Sequence, residues 1–176
     1  MSRRPRLVTA LPMLLLASAS ACGGAATADP GADRNRELVQ QFVTEADQQT
    51  TPEAFRAFID RWMTPDFTSH APGMPPADLT AYKAVIDVYM TAFSEFKHEI
   101  VQSVAEGDRV AAVVRITCKH SGEFQGIKPT GRTVTVDEIV LFRFANGKIA
   151  EEWYVFDEAG LMRQLSAPAD SAHQQH

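Results

Sequence analysis

The first half of the chain carries apolar residues at intervals of three and four, the spacing of amphipathic helices. This pattern predicts three helices: one over residues 33–49, one that starts near residue 52, and one over residues 78–95. Thr51 suits the N-cap of the second helix and Pro52 its first position. A loop is predicted over residues 65–76. The apolar faces comprise Leu38, Phe42, Val43, Ala46, Phe55, Phe58, Ile59, Trp62, Leu79, Tyr82, Ile86, Tyr89, Met90 and Phe93.

From Phe96 onward the pattern changes to one typical of strands, with β-branched and apolar residues. Strands are predicted over residues 110–118, 133–144 and 148–157, and a short helical turn over residues 158–165. Asn146-Gly147 between the last two strands is a strong hairpin signal. The sequence therefore predicts an α+β domain, in which three N-terminal helices pack in the hollow of a strongly bent antiparallel sheet.

The N-terminus has the composition of an export signal rather than of a folded element. Basic residues precede an apolar run, and small residues follow it up to Cys22, so residues 1–21 are predicted to be a signal peptide. The sequence Ala19-Ser-Ala-Cys22 favours a lipoprotein, whose Cys22 is lipidated; ordinary signal cleavage is the alternative. Residues 22–33 are predicted to be a flexible tether, residues 34–165 the domain, and residues 166–176 a disordered tail.

Charge narrows the range of partners. The predicted signal removes three of the 17 basic residues and no acidic one, which leaves 14 basic against 22 acidic residues and a net charge of −8. Nucleic acids and anionic headgroups reward clusters of Lys and Arg, so neither is an expected partner. The predicted location is the cell envelope, with membrane attachment only through the lipid on Cys22; otherwise the protein is periplasmic or secreted.

Five short motifs occur in an order that resembles the SnoaL-like polyketide cyclase and predicted ester cyclase family, which has the nuclear transport factor two-like fold. They are GDRV (107–110), KHSGEFQG (119–126), PTGR (129–132), FRFANGKIAEEW (142–153) and RQL (163–165). The resemblance implies a cone-shaped α+β barrel with an apolar pocket for a small organic molecule, often a homodimer, without a cofactor.

The sequence departs from this family at two positions that carry its chemistry. In the aromatic polyketide cyclases an aspartate acts as acid and base in an intramolecular aldol closure, and it would align with Tyr154. A histidine that assists there would align with Val140. The aldol mechanism of those enzymes therefore does not transfer directly to this chain.

Strand alternation predicts which other side chains share the cavity face with Tyr154. Glu152 lies two residues before it, and Glu138 lies on the same face of the preceding strand as Val140. We predict Glu138 as a general base and Tyr154 as a donor to an enolate oxygen. The alternative is that Glu138 is hydrated at the rim or paired with Arg115 or Arg132.

Several further residues are candidates for the pocket, each with a structural alternative. His70 is predicted to contact the ligand, and the alternative is a histidine in a surface loop. His120 is predicted to line the pocket, and the alternative is that it holds a strand bend by bonding to the backbone. His98 is predicted to be exposed, and no metal site is predicted. The predicted ligand-binding set is Trp62, His70, Tyr89, Phe93, Arg115, His120, Val140 and Glu152. Three functions stay open: a cyclase or isomerase of a carbonyl compound, a non-catalytic binder of a hydrophobic ligand, and a structural dimer-forming domain.

Overall fold

A computed structural model describes residues 29–168. The helices are α1 (Pro30–Ala46), α2 (Pro52–Trp62), α3 (Leu79–Ala92) and α4 (Glu158–Ser166). Each begins after a residue whose side chain accepts hydrogen bonds from free backbone N–H groups of the first turn. Thr51 caps α2 in this way, as the sequence predicts, and Asp29, Asp78 and Asp157 cap the other three helices.

Six strands form one sheet. They are β1 (Met63–His70), β2 (Ala77–Asp78), β3 (Phe93–Glu106), β4 (Arg109–His120), β5 (Thr133–Ala145) and β6 (Lys148–Phe156). Their order across the sheet is β2-β1-β6-β5-β4-β3. All neighbouring pairs are antiparallel except β1 and β6, which are parallel. Asn146 and Gly147 join β5 to β6 with positive φ angles of 52° and 76°, which suit the tight hairpin predicted there.

The prediction of a loop over residues 65–76 is wrong for its first half. Residues 63–70 form β1, whose pairing with β6 shifts register between Met63 and Thr68. Pro65 lies within this irregular stretch, where its missing N–H costs no regular ladder bond. A proline at that point obscured the strand signal.

Several helix boundaries also differ from the prediction. Helix α1 begins at Pro30 and so includes residues 30–33, which are predicted to belong to the tether. Helix α3 ends at Ala92 instead of residue 95, because Phe93 is already extended, with φ −129° and ψ 155°. The predicted signal peptide, Cys22 and most of the predicted tail lie outside the described residues, and those predictions stay untested.

The helices pack against the concave face of the sheet, so the α+β architecture predicted from the sequence is confirmed. Phe58 and Ile59 of α2 and Val39 of α1 are fully buried against strand residues such as Val110 and Phe67. Phe42 joins the two layers, because its ring lies 5.0 Å from that of Phe58 and 5.9 Å from that of Phe142. This packing holds helices and sheet together around the site described below.

The convex face of the sheet carries exposed apolar residues, among them Ile139 and Val155. The homodimer implied by the family resemblance stays a prediction. None of the helices within residues 29–168 combines the length and apolar character needed to cross a lipid bilayer.

Candidate functional site

The concave face of the sheet and the helices above it enclose a cavity of about 180 Å³. Its walls are mainly apolar and include Phe42, Phe55, Ile86, Met90, Val114 and Phe142. An apolar cavity of about 150 Å³ is sufficient to hold benzene. The space therefore suits an organic molecule of about one or two rings.

Strands β5 and β6 bring three of the predicted polar residues to this cavity. Val140 pairs with Tyr154 and Phe142 with Glu152, and all four line the cavity. Glu138, two residues before Val140, lines it as well and is therefore diagonal to Tyr154 across the two strands. Diagonal neighbours of this kind have Cα atoms about 7–8 Å apart, within reach of long side chains. The face assignment made from strand alternation matches the structure, whereas the catalytic roles stay predictions.

Glu152 is held in the cavity wall by a contact with strand β1. Its side chain is 4% exposed, and the buried Ser69 hydroxyl donates a hydrogen bond of 2.8 Å to its Oε1 atom. Burial raises the pKa of Glu152 to about 8, the nearby Glu138 raises it further, and the Ser69 bond opposes both effects. At neutral pH Glu152 is therefore mostly a neutral carboxylic acid, which can donate as well as accept a hydrogen bond.

Glu138 has a different environment, because no hydrogen bond joins its carboxyl group to another residue of the described chain. Burial raises the pKa of Glu138 to about 7, against the opposing charge of His98. The alternative pairings considered from the sequence are absent: Arg115 binds Asp137 at 3.0 Å, and Arg132 donates to the carbonyl oxygens at the end of α4. Near pH 7 Glu138 is thus divided between its neutral and charged forms, which suits a general base or acid.

Three tyrosines surround these carboxyl groups. Tyr154 comes from β6, and Tyr82 and Tyr89 come from α3 on the opposite wall. Burial is the main cause that raises the pKa of Tyr154, and it raises the pKa of Tyr89 to about 12. The pKa of Tyr82 is raised well above its ordinary value by burial and by Glu152. All three hydroxyls therefore stay protonated at neutral pH and can donate hydrogen bonds to a ligand oxygen.

The structure adds a residue that the sequence analysis placed on the surface. His98 of β3 lines the cavity, and its side chain is only 18% exposed. Its Nδ1 atom lies 2.6 Å from the Asp47 carboxylate, just after the end of α1. The charged residues Lys97 and Glu99 on either side of His98 suggested solvent, but they belong to the other face of the strand. Strand alternation across residues 96–100 was the signal that could have placed His98 inside.

Two residues predicted to bind the ligand do not line the cavity. The Trp62 ring packs against Phe42, and its indole N–H donates to Glu45 at 2.9 Å, so Trp62 belongs to the contact between α1 and α2. Arg115 lies on the opposite face of β4, where it pairs with Asp137. Strand β4 is apolar at both alternating sets of positions, so its pattern did not show which face Arg115 occupies.

The two remaining histidine predictions are also corrected. His70 lies on β1, where its ring stacks on Trp153 at 4.8 Å and its Nε2 atom lies 2.9 Å from Glu151. It therefore lies on the convex side together with Glu151. His120 is fully buried beside Phe93, and its Nδ1 atom accepts a hydrogen bond from the backbone N–H of Thr130, the structural role considered as its alternative.

The cavity retains the rest of the predicted set, namely Tyr89, Phe93, Val140 and Glu152 in addition to Glu138 and Tyr154. Among the described residues, no three side chains of His, Cys, Asp or Glu gather closely enough to hold a metal ion. The site thus consists of an apolar chamber with the buried Glu152 and half-buried Glu138 carboxyl groups, three tyrosine hydroxyls and one imidazole. This set is suited to proton transfer at a carbonyl compound.

Comparison with known proteins identifies the family to which the chain belongs. The model of the SnoaL-like polyketide cyclases matches residues 37–165. Aklanonic acid methyl ester cyclase DauD of Streptomyces sp. (strain C5) is 27% identical over 133 residues, which cover 75% of this chain and 81% of DauD. Cyclase DnrD of Streptomyces peucetius, which carries the same enzyme name, is also 27% identical over 133 residues, which cover 90% of its length.

A solved structure extends the likeness to the fold. The crystal structure of a SnoaL-like polyketide cyclase from Jannaschia sp. CCS1 superposes with a TM-score of 0.69 and 27% identity, and the match covers 80% of this chain and 97% of that protein. The motif resemblance seen in the sequence is thereby confirmed. The chain belongs to the SnoaL-like polyketide cyclase family.

Proposed function

We propose that the cavity binds a small, mainly apolar carbonyl compound and catalyses a cofactor-free proton transfer that leads to cyclisation or isomerisation. The observation that carries this proposal is the Glu138 carboxyl group, which lies in an apolar cavity, diagonal to Tyr154, without a hydrogen-bond partner among residues 29–168. A desolvated carboxylate is a stronger base than one in water, and its raised pKa of about 7 suits acid–base work near neutrality.

The chemistry follows from what each group can do. Ionised Glu138 takes a proton from the carbon next to the carbonyl group, and the electrons of that C–H bond form the C=C bond of an enolate. The negative charge that develops on oxygen is stabilised by a hydrogen bond from the protonated Tyr154 hydroxyl. Neutral Glu152 is a further donor on the same strand. The enolate carbon then attacks a second carbonyl group or takes a proton at another position.

A non-catalytic binder is the second candidate, and one observation favours it. Tyr154 and Val140 stand where the family's catalytic aspartate and its assisting histidine would align. A chain that had lost those two groups without replacement would keep the apolar chamber but no turnover. Glu138 supports turnover, because a half-buried carboxyl group without a hydrogen-bond partner among residues 29–168 costs stability and has no use in a capture protein.

Turnover is tested with 1-tetralone, a two-ring ketone matched to the cavity volume, incubated with the protein in D2O. We expect the protein to accelerate loss of the NMR signal of the protons next to the carbonyl group. Tyr154→Phe should lower this rate about 10- to 50-fold with the ketone still bound. This loss is smaller than the typical cost of removing one oxyanion donor, about 10²–10³ in rate, because Glu152 remains as a further donor.

Binding of 1-tetralone by saturation-transfer NMR, with no exchange above the background in any variant, would instead establish a capture protein. Tyr89→Phe is the matched control for the tyrosine, because it removes a cavity hydroxyl on the opposite wall. Equal losses in Tyr89→Phe and Tyr154→Phe would remove the specific role proposed for Tyr154.

Export is a further part of the proposal. Residues 1–21 have the pattern of a signal peptide that ends before Cys22, which supports a lipid-anchored protein at the cell envelope. We expect radiolabelled palmitate to enter the wild-type protein expressed in a bacterium, and Cys22→Ser to lose the label. Label retained in Cys22→Ser would contradict lipidation, whereas an unlabelled but processed wild type would support ordinary signal cleavage.

A further inference from the structure

His98 and Asp47 form a carboxylate–imidazole pair at the edge of the cavity that the function proposed above does not use. Asp47 follows the last residue of α1, and its carboxylate lies 2.6 Å from His98 Nδ1. It also accepts the backbone N–H of His98 at 3.2 Å. Because the Asp47 carboxylate can only accept hydrogen bonds, Nδ1 of His98 must carry a proton in this arrangement. The free nitrogen of the ring is therefore Nε2.

The position of His98 relative to Glu138 follows from strand register. Val114 of β4 pairs with Glu138 on one side and with Ile100 on the other, and His98 lies two residues before Ile100 on the same face. Two strand spacings and a shift of two residues place the Cα atoms of His98 and Glu138 roughly 12 Å apart. Between them the cavity wall consists of Val114 and Ile116. Each polar side chain extends into the cavity, so the gap suits a bound molecule.

The three polar groups thus follow one line across the sheet. Tyr154 is on β6, Glu138 on the adjacent β5, and His98 two strands further on β3. Glu138 lies between a hydroxyl donor and an imidazole, with apolar surface around all three. The charge of His98 acts on the Glu138 carboxyl group, in agreement with their facing positions in one chamber. A molecule with a single carbonyl group would engage Tyr154 and Glu138 and leave His98 without a partner.

We propose that His98, oriented by Asp47, is a second acid–base residue of this site, which donates a proton to the oxygen of the second carbonyl group during ring closure. The inference rests on the proposed function, in which Glu138 removes a proton next to the first carbonyl group. His98 then donates a proton to the oxygen of the second carbonyl group. Asp47 is a positioning residue, since its contacts are with His98 and not with the cavity.

The step balances without any further reactant. Glu138 takes the C–H proton, and the enolate carbon forms a C–C bond to the second carbonyl carbon. The π electrons of that C=O bond move to its oxygen, which takes a proton from Nε2 of protonated His98. The product is an isomer of the substrate with one ring and one new hydroxyl group. Transfer of the proton from Glu138 to His98 through solvent restores both residues.

The test compares two probes. With 1-tetralone, which has one carbonyl group, His98→Gln should lose much less of its α-proton exchange rate than of its ring-closure rate, because only Glu138 and Tyr154 contact the reacting atoms. With 2,6-heptanedione, which can close to 3-hydroxy-3-methylcyclohexanone, we expect the wild type to form the ring and His98→Gln to form it about 100-fold more slowly. Glutamine retains an N–H donor for Asp47, so the fold should survive. Glu99→Gln, exposed on the other face of β3, is the matched control and should leave both rates unchanged.

The outcomes separate this inference from the function on which it rests. If the wild type exchanges no α-protons in either probe, the proposed function fails. The role proposed for His98 is wrong if the wild type exchanges α-protons but does not close 2,6-heptanedione. It is also wrong if His98→Gln closes the ring as fast as the wild type. In both cases the role proposed for Glu138 as the general base stands.

Asp47 has a separate signature that a purely structural contact would not produce. Asp47→Asn should lower kcat for ring closure with KM within about twofold. The ¹⁵N spectrum of the His98 ring should shift at the same time from the Nδ1–H form toward the Nε2–H form, because the amide can donate to Nδ1. A variant that loses thermal stability but keeps its kcat and its His98 spectrum would show that Asp47 only ties α1 to β3.

Discussion

Glu138→Gln is expected to lower the rate of α-proton exchange about 10³-fold while binding of 1-tetralone stays within about threefold. Glutamine has nearly the same shape as glutamate but cannot take a proton, and a positioned general base contributes typically 10²–10⁴ in rate. Because the variant also removes a half-buried charge, it should be at least as stable as the wild type. The measurement is exchange in D2O followed by NMR, with binding measured by saturation transfer.

The pH dependence of the exchange rate of the wild type is a second test of Glu138 as the general base. Burial raises the pKa of Glu138 to about 7, and a base works only in its ionised form, so the rate should rise with pH and level off above about 7. Asp137→Asn is the matched control, since Asp137 is the neighbour of Glu138 on the opposite face and pairs with Arg115. A midpoint near the ordinary carboxyl value of 4.5, or a full rate in Glu138→Gln, would contradict the assignment.

Glu152→Gln is expected to change the stability of the protein in a pH-dependent way. The pKa of Glu152 is raised from 4.5 to about 8 in the folded state, so the folded chain holds this proton more tightly than the unfolded chain does. The resulting stabilisation is fully present below pH 4.5 and is lost as the pH rises through about 8. We expect the free energy of unfolding of the wild type to fall by an amount on the order of 3 kcal/mol between pH 5.5 and pH 9.

Glutamine keeps an oxygen that accepts the Ser69 hydrogen bond but has no charge to bury. Glu152→Gln should therefore lose much less stability over this range and exceed the wild type at pH 9. Urea unfolding followed by tryptophan fluorescence at both pH values measures the difference. Glu106→Gln, an exposed position at the end of β3, should follow the wild type. A wild-type protein equally stable at pH 5.5 and pH 9 would mean that Glu152 does not hold its proton in the folded state.

Local patterns combined with the family resemblance were sufficient for the parts of the site that two adjacent strands build. Alternation groups Glu138 with Val140 on β5, and the family resemblance sets Val140 and Tyr154 on one face. The hairpin alone does not give this face, because its regular register would set Val140 opposite Trp153. A register shift between Arg143 and Phe144 brings Tyr154 to that position. The same argument separates Glu152 from Glu151: the first is buried in the cavity, and the second binds Arg143 and His70 on the convex side.

Local patterns failed where the deciding partner is distant in the chain. His98 is paired with Asp47, 51 residues away, and no spacing in the sequence links the two. Ser69 binds Glu152, 83 residues away, because β1 pairs in parallel with β6, and no local pattern in the chain predicts that pairing. Trp62 illustrates the opposite error, because a tryptophan on the apolar face of a helix can line a cavity or join two helices equally well.

The sequence by itself determined the family, the α+β class, the N-cap of α2 and the hairpin, and the family resemblance combined with strand alternation placed Glu138 and Tyr154 on one face. These features depend on residue periods, caps and turns that span only a few positions, and on motifs in a fixed order. The tertiary structure alone decided that this face lines a cavity, that Glu138 has no hydrogen-bond partner in the described part of the chain, and that His98 lines the same cavity. Burial and charge at a site are sums over strands and helices that meet only after folding, so no local pattern contains them.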